Sequence, residues 1–235
     1  MNLEPKPELR LFCFPYAGGN SSLFRNWPAS LPATIEVHAV ELPGRQSRFK
    51  ERALTQMSLL AHTLARELAP SLDLPFALFG HSMGALLAFE IARELRRLNA
   101  PQPVHLFVSA QGGPHLPHPR TLLHLLPDQL FLEQVGNHVP PAALRDAELL
   151  RMILPTLRAD IALSETYSYY PELPLACPIT AMGGVTDPSI NHLQLNAWQV
   201  HTTGPFNLFL FRGNHAYIHT ETPLLLQTIQ SQLRR

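Results

Sequence analysis

Six short apolar runs recur along the chain: Leu9 to Phe14, Ile35 to Val40, Phe76 to Phe79, Val104 to Ala110, Pro178 to Met182 and Phe206 to Phe211. Each has the length and apolar density of a buried strand. Between several of them the apolar positions return every three or four residues, which predicts helices over Met57 to Leu68 and Ala85 to Leu98. The second places Leu87, Ile91, Leu95 and Leu98 on one face. Pro223 to Leu233 reads as a closing helix begun by proline. Strands alternating with helices imply an α/β chain, because parallel neighbours need a crossover and the crossover helices cover both faces of the sheet.

The alternation stops between about Gly113 and Ala176, where no convincing central strand appears. Leucine-rich helical segments around Leu122 to Val135, Ala142 to Leu154 and Leu157 to Tyr167 take its place. This stretch, about 113–176, is expected to be a helical lid inserted into a single domain over 1–235. The stretch leading into it, Gly113-Pro114-His115-Leu116-Pro117-His118-Pro119, is too rich in proline for regular structure and suits a hinge. Its histidines lack carboxylates at ligand spacing, so a loop is preferred to a metal site. The leucines of the lid pack first of all; any that face the site would line an apolar acyl pocket.

Composition adds mostly exclusions. A chain of 235 residues, 46% apolar, 15% charged and of net charge zero, suits one core that buries roughly 70% of its unfolded surface. Without a basic cluster longer than Arg234-Arg235, no electrostatic feature points to nucleic acid or an anionic membrane. The charged, proline-bearing start Met1 to Leu9 lacks the order of a signal peptide, and no run approaches a transmembrane length, so a cytoplasmic location is expected. Cys13 and Cys177 lie in or beside apolar runs and are expected as buried free thiols. No Cys-x-x-Cys or His-Glu-x-x-His pattern occurs, and neither a metal nor a cofactor is expected.

The candidate chemistry centres on Gly80-His81-Ser82-Met83-Gly84. A Gly-x-Ser-x-Gly pentapeptide is weak alone, since any serine-containing turn between small residues satisfies it. Here a strand-like run precedes it and a helical pattern follows, which is the context of a nucleophile elbow. A serine hydroxyl needs a general base, and the base needs an acid to fix its tautomer. In a strand–turn–helix fold of this kind the order is serine, acid, histidine, with the histidine after the last strand. His215 fits, following Phe206 to Phe211 and the turn Arg212-Gly213-Asn214, with His219 as runner-up among twelve histidines. His81 is expected to shape the elbow. For the acid, Asp187 follows Gly183-Gly184-Val185-Thr186 at a strand's carboxyl end. Asp160, in a helical setting, is the competitor and is expected to cap or to pair with Arg158 or another lid residue. The oxyanion of a tetrahedral intermediate needs two backbone donors: the N–H of Met83, and a second from the glycine-bearing loop Phe14-Pro15-Tyr16-Ala17-Gly18-Gly19. A glycine-rich turn with no ligand is the plainer reading of that loop.

Phe14-Pro15-Tyr16-Ala17-Gly18-Gly19, Glu41-Leu42-Pro43-Gly44-Arg45, Gly80-His81-Ser82-Met83-Gly84-Ala85, Leu157-Arg158-Ala159-Asp160 and Gly183-Gly184 with Asp187 together resemble, in order, the motifs of type II thioesterases. These are stand-alone α/β-hydrolases that serve nonribosomal peptide and polyketide synthases. The resemblance spans nearly the whole chain and implies an α/β-hydrolase fold with a helical lid. It further implies hydrolysis of acyl or aminoacyl groups from the phosphopantetheine arm of a carrier protein, by a monomer without a cofactor of its own. On this resemblance Ser82, Asp187 and His215 match the triad, and the Ala17 and Met83 amides match the oxyanion hole. One departure stands out: Gly213-Asn214-His215-Ala216-Tyr217 replaces the family's usual Gly-Gly-His-Phe-Phe. A small-molecule carboxylesterase would share the same catalytic residues, and a non-catalytic carrier-binding module would keep them as scaffold.

Overall fold

The computed structural model describes residues 6–117, 122–136, 139 and 144–234. Six strands form one sheet: β1 (Leu9–Phe14), β2 (Ile35–Ala39), β3 (Phe76–His81), β4 (His105–Ser109), β5 (Ile179–Gly184) and β6 (Phe206–Phe211). Their spatial order is β2-β1-β3-β4-β5-β6, and every pairing is parallel. All six predicted runs are strands, with ends that shift by up to two residues. The helices are α1 (Met57–Leu68), α2 (Met83–Arg97), α3 (Asp128–Val135), α4 (Ala147–Glu165), α5 (His192–Asn196), α6 (Tyr217–Thr220) and α7 (Thr222–Leu233).

Alternate side chains of the central strands go to two cores, as the two-residue period of a strand requires. Phe12, Phe14, Phe76, Leu78, Leu106 and Val108 pack with α1 and α2 on one face. Leu11, Cys13, Ala77, Phe79 and Phe107 pack with Phe24, Trp27 and the apolar side of α7 on the other. Because α2 is covered by the sheet, by α1 and by α4, it is buried on nearly every side from Met83 to Arg93, Glu90 and Arg93 included, which blurs the one-sided face expected for it. Cys13 and Cys177 are free and buried, and burial raises both thiols, Cys177 to about 11.

Between β4 and β5 lie α3 and α4, with a separate apolar cluster of Phe131, Val135, Val139, Leu154 and Leu157. Two boundaries differ from the sequence reading. Pro127 ends a short 3-10 turn over Leu123–Leu125, so the helix expected from Leu122 begins only at Asp128. Conversely, α4 runs through Pro155 and joins the segments expected over Ala142 to Leu154 and Leu157 to Tyr167. Proline removes one donor there, leaving the Arg151 carbonyl on an exposed side where water can satisfy it. His118 and Pro119 of the suggested hinge, and Ala142 and Ala143 at the expected helix start, lie outside the described residues. Among the described residues, no helix is long and apolar enough to cross a membrane, and no three His, Cys, Asp or Glu side chains gather as metal ligands.

Candidate active site

Parallel strands send their carboxyl ends to one edge of the sheet, and the loops after β1, β3, β5 and β6 meet there. Ser82 stands between β3 and α2 with φ 54° and ψ −121°, a backbone region that costs a non-glycine residue about 1–3 kcal/mol. The strain is held by Ser82 N–H donating to the Ser109 carbonyl at 2.7 Å and Ala85 N–H donating to the Ser82 carbonyl at 2.8 Å. Close backbone contact on both sides demands small residues. A Cβ on Gly80 would lie 1.9 Å from the Gly84 carbonyl oxygen, and one on Gly84 would lie 2.3 Å from that of Phe14 and 2.6 Å from that of Pro15. Gly84→Ala is therefore expected to push α2 from the loop after β1, at a cost of about 1–3 kcal/mol. A thermal melt should show the midpoint fall by roughly 2–12 °C, with an activity loss beyond tenfold; wild-type values for both would contradict this packing.

Asp187 lies in the turn after β5, where Thr186 N–H donates to the Gly213 carbonyl at 3.0 Å and so laces this turn to the loop after β6. His215 occupies that second loop. Its Nδ1 is 2.7 Å from Asp187 Oδ2 and its Nε2 is 3.0 Å from Ser82 Oγ. A carboxylate accepts, so Nδ1 carries the proton and Nε2 is free to accept from the Ser82 hydroxyl. The Asp187 side chain is fully buried. Burial raises its pKa, but the hydrogen bond from His215 and those from the Ser189 and Ile190 N–H groups outweigh burial and hold it below the usual carboxylate range. The structure thus brings Ser82, His215 and Asp187 into one hydrogen-bonded line. His219 is elsewhere, its Nε2 3.1 Å from the Tyr16 hydroxyl. Asp160 is also elsewhere, and its partner differs from the expected one. It pairs with Arg45 at 2.6 Å, whereas Arg158 donates to Asp128 and to the carbonyls of His124 and Leu126.

Beneath this line runs a second one that the sequence did not disclose. His81 Nε2 is 3.0 Å from the His215 carbonyl oxygen, His81 Nδ1 is 2.7 Å from Ser109 Oγ, and Ser109 Oγ is 2.5 Å from the Tyr217 hydroxyl. Burial, with His215 adding to it, depresses the His81 pKa to about 3, so the ring is neutral at any ordinary pH. A carbonyl can only accept, so Nε2 holds the single ring proton. Ser109 must then donate to Nδ1, and Tyr217 must donate to Ser109. The departure at positions 214 and 217 acquires physical roles: the Asn214 side chain accepts from Ala216 N–H at 3.0 Å, and the Tyr217 hydroxyl ends the buried chain. Ser109 is found only from the register, which sets it beside His81.

The sheet order, the insertion after β4 and the strained serine turn define an α/β-hydrolase. A family model described as the thioesterase domain matches residues 9–233, and the chain belongs to that family. A Brevibacillus parabrevis protein, linear gramicidin dehydrogenase LgrE, is 43% identical over 99% of this chain and 92% of its own length. Its name speaks of a dehydrogenase, but no two glycines of the present chain stand two positions apart, so the dinucleotide-binding Gly-x-Gly-x-x-Gly does not occur. RedJ, a thioesterase from the prodiginine biosynthetic pathway in Streptomyces coelicolor, superposes with a TM-score of 0.89 at 40% identity, over 96% of this chain and 85% of its own. YbtT, a type II thioesterase from the yersiniabactin NRPS/PKS biosynthetic pathway, does so with a TM-score of 0.83 at 31% identity, over 96% and 94%.

Proposed function

We propose that the protein is a type II thioesterase that hydrolyses acyl and aminoacyl thioesters on the phosphopantetheine arm of carrier-protein domains, freeing stalled nonribosomal peptide or polyketide synthases. The observation that carries this reading is the hydrogen-bonded line Ser82–His215–Asp187 in a chain of the thioesterase domain family.

In this scheme the Ser82 hydroxyl attacks the thioester carbonyl while His215 Nε2 takes its proton, and Asp187 steadies the imidazolium that results. The tetrahedral oxyanion is received by the N–H groups of Ala17 and Met83, each such donor contributing about 3–4 kcal/mol to the transition state. The carbon–sulfur bond breaks and the pantetheine sulfur leaves with the proton that His215 had taken from Ser82, which returns the imidazole to its neutral form. An acyl group remains on Ser82 Oγ. His215 next takes a proton from water, whose oxygen attacks the ester; the carboxylic acid departs and Ser82 recovers its proton. Since the imidazole is neutral again once the thiol has left, the same base serves both halves. Phosphopantetheine comes with the substrate, and every step uses groups of this chain. The helices between β4 and β5 act as the lid that keeps the acyl chain from bulk water.

Mass spectrometry of an acetyl-phosphopantetheine carrier domain, mixed with the protein or with Ser82→Ala, tests the reading beside a free oxyester control. Loss of the acetyl mass that depends on Ser82 and outpaces ester cleavage is the expected result. Cleavage of the oxyester alone would make the protein a general esterase, and turnover of neither would leave carrier binding as its activity.

A further inference from the structure

Asp160 lies on α4, in the insertion, yet its fully buried carboxylate reaches across to the loop after β1. Arg45 grips it with both arms, Nη1 to Oδ2 at 2.8 Å and Nη2 to Oδ1 at 2.6 Å. Oδ2 also accepts from Gly18 N–H at 2.8 Å, and Arg45 Nη1 donates to the Gly19 carbonyl at 2.8 Å. The loop itself is a tight turn, closed by Gly19 N–H donating to the Tyr16 carbonyl at 2.8 Å. Gly18 has φ +79°, the value required at the third residue of a type II turn, which only glycine adopts cheaply. Thr156, one turn earlier on α4, donates to the Gly44 carbonyl at 2.8 Å, so the same helix also holds the loop that carries Arg45.

Burial raises the Asp160 carboxyl, while Arg45 and the Gly18 N–H pull it back. A buried ion pair of this kind adds little net stability, because desolvation of both charges offsets their attraction and two apolar side chains would pack as well. What an apolar pair cannot do is fix the direction of a peptide unit. Here the Gly18 N–H and the Gly19 carbonyl are both held, immediately after Ala17.

We infer that Asp160 and Arg45 are positioning residues for the oxyanion hole, fixing through Gly18 and Gly19 the direction in which the Ala17 N–H points. Since Asp160 belongs to the insertion, the hole is complete only while that insertion is seated on the loops after β1 and β2. This inference rests on the oxyanion role given to Ala17 in the proposed function. A donor displaced by about an ångström loses much of its effect on the transition state and little of its effect on substrate binding.

The test is steady-state kinetics on an acyl thioester of N-acetylcysteamine with wild type, Asp160→Asn and Ser82→Ala, together with the rate at which a fluorophosphonate labels Ser82. Asp160→Asn keeps the size and one acceptor but loses the charge. Its kcat is expected to fall 10- to 100-fold with KM within threefold, and fluorophosphonate labelling, which needs the same hole, should slow by a similar factor. A kcat within twofold of wild type, or a loss confined to KM, would overturn the inference while Ser82 dependence left the catalytic reading standing. Persistent turnover by Ser82→Ala would instead strike the catalytic reading. Should Asp160→Asn not fold, Arg45→Lys, which keeps a positive charge but cannot fork, is judged by the same criteria.

Discussion

Ser82→Ala is expected to lower kcat by about 10⁵-fold or more, to the level that binding and the oxyanion donors alone sustain. The backbone at this position is already strained and an alanine methyl fits where the serine Cβ sits, so the melting temperature should stay near that of the wild type. Asp187→Asn is the more discriminating partner. Asparagine can still accept from the N–H groups of Ser189 and Ile190, but it offers His215 either a poorer acceptor or an NH₂ group. The NH₂ drives the imidazole proton to Nε2, where it can no longer accept from Ser82, and kcat should fall by roughly 10³- to 10⁴-fold. Single-turnover assays on a loaded carrier, with melts of each variant, check both. Retained activity in either folded variant would remove that residue from the mechanism.

Acid is expected to unfold the protein well above the range in which carboxylates titrate. Three buried histidines are held neutral: His81 at about 3, His105 at about 4 and His201 at about 4. Burial is the main cause in each, and His105 spends its ring on a stack with Phe107 and a 2.9 Å contact from Nε2 to Thr180 Oγ1. The folded pKa values lie below the unfolded one of about 6.5. Below that pH the unfolded chain takes up protons that the fold refuses, so stability is full above it and declines as pH falls toward 4. At pH 5 each imidazole costs about 2 kcal/mol, together about 6 kcal/mol, comparable with the whole stability of many domains. Asp160, raised by burial, pulls the opposite way but is one carboxyl against three imidazoles. Urea midpoints at pH 7.5 and pH 5 provide the check. Equal midpoints would contradict the neutral assignments, and His105→Asn should flatten the decline by about a third.

The α/β architecture was legible because the central strands feed a core on each face and so read as short, mostly apolar runs such as Phe76 to Phe79. The elbow was legible because motif and context coincide in one stretch, from Phe76 to Leu98. Local signals misjudged the insertion: two helical segments were expected on either side of Pro155, yet α4 passes through it, with Arg151, whose carbonyl loses its donor, among the exposed residues. The supports of the candidate site were hidden for a different reason. Ser109, Tyr217 and Arg45 reach their partners only through strand register and the close approach of loops distant in sequence. For Asp160 the reading looked for a partner along its own insertion and missed one 115 residues away.

The register that pairs Phe14 with Gly80, and Gly184 with Phe211, also governs how the molecule acquires activity during refolding. No hairpin or contiguous fragment holds Ala17, Ser82, Asp187 and His215. The loops that carry them meet only when five parallel strands, β1, β3, β4, β5 and β6, have closed, each closure drawing together segments separated by long stretches of chain. Such long-range pairings form slowly relative to helices. Far-ultraviolet ellipticity should thus return ahead of turnover in a dilution experiment, which makes activity a clock for the final closure of the sheet.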